Sequence, residues 1–203
     1  QIVSGGTMIV GESHVRAEGS SALAVSLRAE RGATFQVSES SVLAIRGVFS
    51  VMDVTNGDFL WIGHGGFTVS NDSALLLADS RFDGQLAQGF SQQDVIQVRS
   101  SGWADVRVSN RSVVGLSNIA IRTTSPGASN AVQWYLRMHH FTERSLLTFH
   151  NVTVVTNMTA STSGRFLRGI DLVLDPASAE DAVFANSSAI EVVDCDFTIV
   201  GMV

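Results

Sequence analysis

Apolar and polar residues alternate in short stretches along the chain, and the stretches share one pattern. Aligning six of them puts a serine, which we call the anchor, at a common position: Ser21, Ser41, Ser73, Ser112, Ser145 and Ser188. Large apolar residues follow each anchor after two and after four positions, as Leu75 and Leu77 follow Ser73. This two-residue period is that of a half-buried strand, because successive strand side chains point to opposite faces. Each repeat is therefore predicted to carry a short β-strand after its anchor.

Polar residues at fixed offsets predict two corners in each repeat. Before the anchor, Ser, Asn, Glu, Thr and Gly separate it from an apolar residue four positions earlier, and these residue types favour turns. Six residues after the anchor, the last four repeats carry Asn or Asp, which form a predicted second corner column: Asp79, Asn118, Asn151 and Asp194. Asn and Asp tolerate a left-handed backbone, and their side chains can stack as a hydrogen-bonded ladder. The alternative is an ordinary preference of Asn and Asp for turns, which also requires a corner.

Short strands, polar corners and matching apolar columns together indicate a parallel β-helix, in which each coil stacks on the previous one. We predict an all-β, right-handed parallel β-helix of the pectate-lyase type. Residues 1–203 are expected to form a single solenoid segment of a longer repeat array. A β-sandwich is the alternative, since many short strands also suit it, but a sandwich has no reason to align the same columns in every repeat.

The anchors are too far apart for compact coils alone. They are separated by 20, 32, 39, 33 and 43 residues, whereas a compact coil needs about 20 to 25. The excess is assigned to loops and to further strands, for which the candidates are 59–63, 94–98, 131–138 and 165–174. Segments rich in Gly, Gln, Ser and Thr are the expected excursions: 84–93, 122–130 and 156–164.

Charge and hydropathy speak against nucleic-acid binding and against a membrane-spanning helix. The net charge of -6 speaks against the basic surface that nucleic-acid binding needs. Polar residues interrupt every apolar run well before the roughly 18 to 20 residues of a membrane helix. The chain starts without Met and ends in a predicted strand, so we expect a piece of a longer protein, with no signal peptide or membrane anchor in this range. Membrane contact is expected only through regions outside it.

Five N-x-[ST] sites stand in the chain, where chance predicts roughly one or two. The excess favours a secreted or cell-surface glycoprotein. The candidate acceptors are Asn71, Asn110, Asn186, Asn157 and Asn151. We rank Asn151 last, because a side-chain ladder at the second corner would bury its amide. Cys195 is the single cysteine, so no disulfide forms within this segment.

Catalytic chemistry has one candidate in the sequence. His64 stands between glycines and follows Asp53 and Asp58, an arrangement similar to the Gly-His-Gly of β-helix glycosidases. Those enzymes place two carboxyl groups on either side of the bond that is cleaved. The remaining acidic and basic elements of that motif are missing, so we interpret His64 as a turn residue and predict no catalytic residue.

Metal ligands and cofactors are not expected either. Asp194 and Asp196 share a strand face, but calcium needs roughly six to eight oxygen ligands. His139, His140 and His150 lack the spacing or the cysteine partners of a zinc site. No phosphate-binding or dinucleotide-binding motif is present in the sequence.

Aromatic residues offer a candidate platform for a glycan ligand. Trp61, Trp103 and Trp134 have flat faces on which sugar rings stack. Trp61 alternates with Leu60 and Ile62, so it is equally consistent with a core position.

Three stretches carry a resemblance to a known family: 67–82, 139–155 and 164–197. Their Ser, Val, Leu and Asn patterns resemble those of the large surface proteins of the trypanosome dispersed gene family. Members are adhesin-like, very long, glycosylated and membrane-anchored near the far C-terminus. The resemblance implies a non-enzymatic, extracellular adhesion module whose partner is a host matrix or cell-surface protein or glycan, and it carries over no catalytic residue. The alternative is a polysaccharide-acting β-helix lyase or hydrolase, or a carbohydrate-binding module.

Overall fold

Most of the described residues lie in β-strands. The computed structural model describes residues 6–11, 14–19, 22–28, 34–54, 57–63, 66–86, 93–99, 106–125, 129–135, 139–159, 167–173 and 183–201. These ranges contain 19 strands and no helix. In chain order the strands are β1 (Thr7–Gly11), β2 (His14–Gly19), β3 (Ala22–Arg28), β4 (Thr34–Ser38), β5 (Val42–Arg46), β6 (Phe49–Val54), β7 (Gly57–Gly63), β8 (Gly66–Ser70), β9 (Ala74–Leu86), β10 (Gln93–Arg99), β11 (Val106–Ser109), β12 (Val113–Ser125), β13 (Ser129–Tyr135), β14 (His139–Phe141), β15 (Leu146–Met158), β16 (Leu167–Val173), β17 (Val183–Phe184), β18 (Ala189–Val193) and β19 (Asp196–Val200). The protein is therefore all-β in its described part.

The strands form three sheets. The first runs β1-β5-β9-β12-β15-β18 and also contains β2, β6 and β19; the second runs β16-β13-β10-β7-β3, and the third β17-β14-β11-β8-β4. Every pairing between described strands is parallel, unlike the antiparallel sheets of a sandwich. The chain visits the three sheets in the same order and returns, and we call one such round a pass. Each strand pairs with its counterpart on the next pass.

The apolar columns predicted from the last five repeats are present. Leu43, Leu75, Val114 and Leu147 are register partners on successive passes, and each is at most 4% exposed. Burying a side chain of this size contributes roughly 1.5 to 3 kcal/mol. A second column joins the strand before the first corner to the core: Val37, Val69, Val108 and Phe141. On the last pass Ile190, the register partner of Leu147, is 37% exposed, since no described strand covers it.

Both corners are defined by left-handed backbone. At the second corner a single residue has a positive φ, 49° to 55° at its Asn and Asp residues and 65° at Gly47. At the first corner two successive residues have positive φ, as Asn71 and Asp72 do at 59° and 57°. Glycine occupies this conformation without strain, and Asn and Asp tolerate it better than other residues. Gly47 lies six residues after Ser41 and belongs to the second corner, although the sequence pattern did not assign it there.

The alignment of the first repeat was wrong. It matched Leu23 with Leu43, but β3, which contains Leu23, pairs with β7 in the second sheet. The partner of Leu43 is Met8 in β1. The reason is physical: strands of all three sheets alternate apolar and polar residues, so alternation alone does not reveal to which sheet a strand belongs.

The four additional strands predicted in the long gaps are present. They correspond to β7, β10, β13 and β16, and together with β3 they make up the second sheet. The anchors are therefore widely spaced because each pass also contributes a strand to the second sheet. The expected excursions at 84–93, 122–130 and 156–164 begin with the ends of β9, β12 and β15 and lie in part outside the described residues.

Candidate binding surface at the first corner and the third sheet

The first corner is held by hydrogen bonds between passes. The corner has two left-handed residues. The backbone N–H of the second one donates to the carbonyl oxygen of the first corner residue on the next pass. Examples are Ser40 to Asn71 and Asp72 to Asn110, both 2.8 Å from nitrogen to oxygen. These bonds tie the corner of one pass to that of the next, and the side chains of its two left-handed residues are exposed.

A column of buried anchor serines supports the corner from inside. The backbone N–H of Ser41 donates to Oγ of Ser73 at 3.1 Å, and that of Ser73 donates to Oγ of Ser112 at 3.2 Å. All three serines are at most 1% exposed. A buried N–H without an acceptor is costly, so the small hydroxyl is what allows the chain to turn inward here. The sequence indicated the anchor serines, but their hydrogen bonds to the next pass were not expected.

Two side-chain contacts join the first corner of neighbouring passes on the outside. Nδ2 of Asn110 donates to Oδ1 of Asn71 at 2.8 Å. Nε of Arg111 donates to Oδ1 of Asp72 at 2.6 Å, and its Nη2 contacts the other carboxylate oxygen, so the ion pair is bidentate. The hydrogen bond from Arg111 lowers the pKa of Asp72, and the same contact raises the pKa of Arg111.

The outer face of the third sheet continues this polar surface. Thr68, Arg107 and His140 are register partners on successive passes. Arg107 is exposed and His140 half-buried. We call the combined surface the polar strip, and it consists of Thr68, Ser70, Asn71, Asp72, Arg107, Ser109, Asn110, Arg111, His140, Thr142, Glu143 and Arg144. It presents hydroxyl, amide, guanidinium and carboxylate groups along the stack.

The outer face of the first sheet differs in character. Ala74, Leu76, Val113 and Leu146 point away from the core and are half-buried, and Gly115 lies between them. A side chain at Gly115 would meet the carbonyl oxygen of Thr148 at 2.2 Å, so the strands approach closely here. Polar contacts are not confined to the polar strip, because Arg81 and Asp83 of β9 form an ion pair on the first sheet at 2.6 Å.

At the second corner the Asn and Asp side chains stack. Nδ2 of Asn118 donates to Oδ1 of Asp79 at 2.8 Å, and Nδ2 of Asn151 donates to Oδ1 of Asn118 at 2.9 Å. On the last pass Oδ2 of Asp194 lies 3.8 Å from Nε2 of His150. We expected the ladder to bury the amide of Asn151, and this was wrong: Asn151 is exposed, because the left-handed corner turns its side chain to the outside.

All five asparagines of the glycosylation sites are exposed: Asn71, Asn110, Asn151, Asn157 and Asn186. The ranking of Asn151 below the others therefore loses its physical basis. The serines of the first two sites, Ser73 and Ser112, are buried in the anchor column. Occupancy of the five sites stays a prediction.

Trp61 of β7 and Trp134 of β13 both lie in the second sheet. Trp61 pairs with Gln97, whereas Trp134 pairs with Val98, one residue further along the same strand. The two tryptophans are thus one register position apart in the second sheet. Trp103 lies outside the described residues. Their role as a ligand platform stays a prediction.

The candidate acid, base and metal positions are dispersed. Asp53 lies in β6 of the first sheet and Asp58 in β7 of the second, and His64 lies outside the described residues. His139 is fully buried, with its ring 6.3 Å from that of Phe67, whereas His150 is exposed on another sheet. Within the described part of the chain, no three His, Cys, Asp or Glu side chains converge as a metal site would need.

Comparison with family models, with curated proteins and with solved structures finds no match. Within the ranges described above, no helix has the length and apolar character needed to cross a membrane.

Proposed function

We propose that the chain is a right-handed parallel β-helix that serves as a non-enzymatic, adhesin-like display module on a cell surface. The observation that carries this proposal is the cyclic order of three parallel sheets, with every column in register from pass to pass. Parallel crossover connections are right-handed in nearly all proteins, which supports the handedness. The antiparallel sandwich has no counterpart to this order.

The stack suits display because its core and its surface are separate. Inward columns and the two corners hold the fold, whereas outward residues vary from Thr68 to Arg107 to His140 without changing the register. A rigid rod of this kind presents an extended binding surface, and its loops can vary without loss of the core. The polar strip is the surface that we assign to the ligand.

The lowered pKa of Asp72 speaks against a general-acid role for this residue. A general acid that protonates a leaving sugar needs a raised pKa. The hydrogen bond from Arg111 lowers the pKa of Asp72 instead. We therefore assign Asp72 a structural role at the corner, where it accepts hydrogen bonds from Arg111. The five exposed sequon asparagines support an extracellular location, with a host matrix or cell-surface protein or glycan as the partner.

An adhesion assay tests the proposal. Fluorescent beads coated with the chain are applied to a panel of matrix proteins, to a glycan array and to cultured host cells, with beads coated with the heat-unfolded chain as the control. We expect saturable binding by the folded chain alone. No binding to any of these surfaces, or release of new reducing ends from a polysaccharide panel, would contradict the adhesive function.

A further inference from the structure

Four basic residues occupy neighbouring positions on the polar strip. Arg107 of β11 and His140 of β14 are register partners, so their Cα atoms face each other across adjacent strands. Arg111 and Arg144 occupy the same position of the first corner on those two passes. There the backbone N–H of Arg111 donates to the backbone carbonyl oxygen of Glu143. We call Arg107, Arg111, His140 and Arg144 the basic cluster. It covers two neighbouring passes on one side of the stack.

The charge of the basic cluster contrasts with that of the chain. The chain carries a net charge of -6, and all 13 of its basic residues other than histidine are arginines. Three of these arginines belong to the basic cluster. Two acidic residues lie beside them: Glu143 and Asp72, which forms an ion pair with Arg111. All three arginines are exposed, so their guanidinium groups reach solvent. Three arginines stand against two carboxylates here, so this part of the polar strip carries a formal charge of +1, in contrast to the net charge of -6 of the chain.

Arginine is suited to one class of ligand. Its planar guanidinium donates two parallel hydrogen bonds to a carboxylate or to a tetrahedral oxyanion. Asp72 shows this geometry within the protein, since both of its carboxylate oxygens contact Arg111. Ser109, Thr142 and Asn110 border the cluster and supply neutral donors and acceptors. Neutral groups of this kind match sugar hydroxyls, while the arginines match acidic groups.

We propose that the basic cluster binds an anionic polysaccharide, through carboxylate or sulfate groups that contact Arg107 and Arg144. This inference rests on the proposed adhesive function and names the chemistry of its ligand. Strands of successive passes lie about 4.8 Å apart, so an extended polymer lying along the stack meets guanidinium groups on both passes. Arg111 stays on Asp72 and holds the corner in shape beneath the ligand.

Binding is measured on the folded full chain with four probes: a sulfated heparin octasaccharide, an oligogalacturonate, a neutral dextran oligomer and a single-stranded DNA of equal charge to the heparin probe. We expect binding of one or both acidic glycans and none of dextran. Affinity falls as salt rises, because exposed charges are screened. Preference between sulfate and carboxylate identifies the acidic group. Equal or tighter binding of DNA would overturn the glycan assignment.

Matched variants locate the site. Arg107→Ser and Arg144→Ser should each weaken acidic-glycan binding by about tenfold, the cost of one charge-assisted hydrogen bond. Arg46→Ser removes an exposed arginine of the first sheet and should leave the affinity within about twofold. Glu143→Gln should strengthen binding. Equal losses for Arg46→Ser and Arg144→Ser would refute the cluster as the site, whereas bead adhesion without acidic-glycan binding would refute this inference and leave the adhesive function standing.

Discussion

Asn118 donates a hydrogen bond from Nδ2 to Oδ1 of Asp79, a residue 39 positions earlier, at 2.8 Å. The two residues share the second corner, and both have positive φ, 55° and 49°. One side chain thus serves two purposes, because it tolerates the left-handed bend and ties neighbouring passes together. The bend of the second corner and the contact between passes therefore depend on the same residue.

Replacing Asn118 should separate these two purposes. Asn118→Ala loses the ladder hydrogen bonds and places a Cβ-bearing residue in the left-handed region, which costs about 1 to 2 kcal/mol of unfolding free energy for the backbone alone. Asn118→Gly loses the same hydrogen bonds but fits the backbone, as Gly47 does. Urea unfolding should therefore rank the wild type first, Asn118→Gly second and Asn118→Ala last. A more stable alanine variant would contradict the corner geometry.

The anchor serines should not be equivalent. Ser112→Ala removes the acceptor of the buried Ser73 N–H and should cost about 1 to 3 kcal/mol. Among the described residues, buried Oγ of Ser41 has no hydrogen-bond partner, so Ser41→Ala should leave the unfolding free energy unchanged or raise it. Thermal unfolding of the two variants makes the comparison. Equal destabilisation would show that the hydroxyl bonds do not support the corner.

Adjacent leucines test which face is the core. Leu75 is 2% exposed and stacks between Leu43 and Val114, whereas Leu76 lies half-buried on the outer face. Leu75→Ala should lower the unfolding free energy by about 2 to 5 kcal/mol, and Leu76→Ala by about 1 kcal/mol or less. Leu75→Asp should prevent the local stack from forming, because it buries an unpaired charge. Unchanged unfolding of Leu75→Asp would refute the column.

The exposed ion pair at the first corner should be visible by titration. Since the folded pKa of Asp72 is lowered, the contribution of the pair to stability is present above about pH 4, the ordinary carboxyl pKa. It is lost as the pH falls through the lower, folded pKa. In an NMR titration the Asp72 midpoint should rise to the ordinary range in Arg111→Gln and stay low in Arg122→Gln. A midpoint that does not move in Arg111→Gln would show that another group lowers it.

The part of the fold that sequence reveals is the part with a strict period. The pairing of Leu75 with Val114 was predicted correctly because a column repeats large apolar residues at one offset. The left-handed corner at Asp79 was predicted correctly because few residue types accept that backbone conformation. Leu23 was assigned to the wrong sheet, since a period of two is common to all three sheets. Long-range pairing of this kind depends on chain length between strands, which alternation does not encode.

The candidate site is less readable from the sequence. Arg107 and His140 lie 33 residues apart and meet only because β11 and β14 share a register. The Asp72–Arg111 pair likewise joins residues 39 positions apart. The local sequence around Asp72 and Arg111 shows polar turn residues, and that around Arg107 and His140 shows short strands. Alignment on the anchor serines places Asp72 and Arg111 in one column, directly before Ser73 and Ser112, but it does not show that their side chains pair.

The central claim is the parallel, in-register stack, and disulfide trapping tests it most directly. In a Cys195→Ser background, Ala120→Cys is combined with Thr153→Cys, its register partner on the next pass, or with Val155→Cys, two residues further along the same face. Strands about 4.8 Å apart suit a disulfide, and the shifted pair at roughly 7 to 8 Å does not. We predict rapid cross-linking of Ala120→Cys with Thr153→Cys under mild oxidation, and little with Val155→Cys. Equal rates for the two pairs, or a faster shifted pair, would contradict the stack.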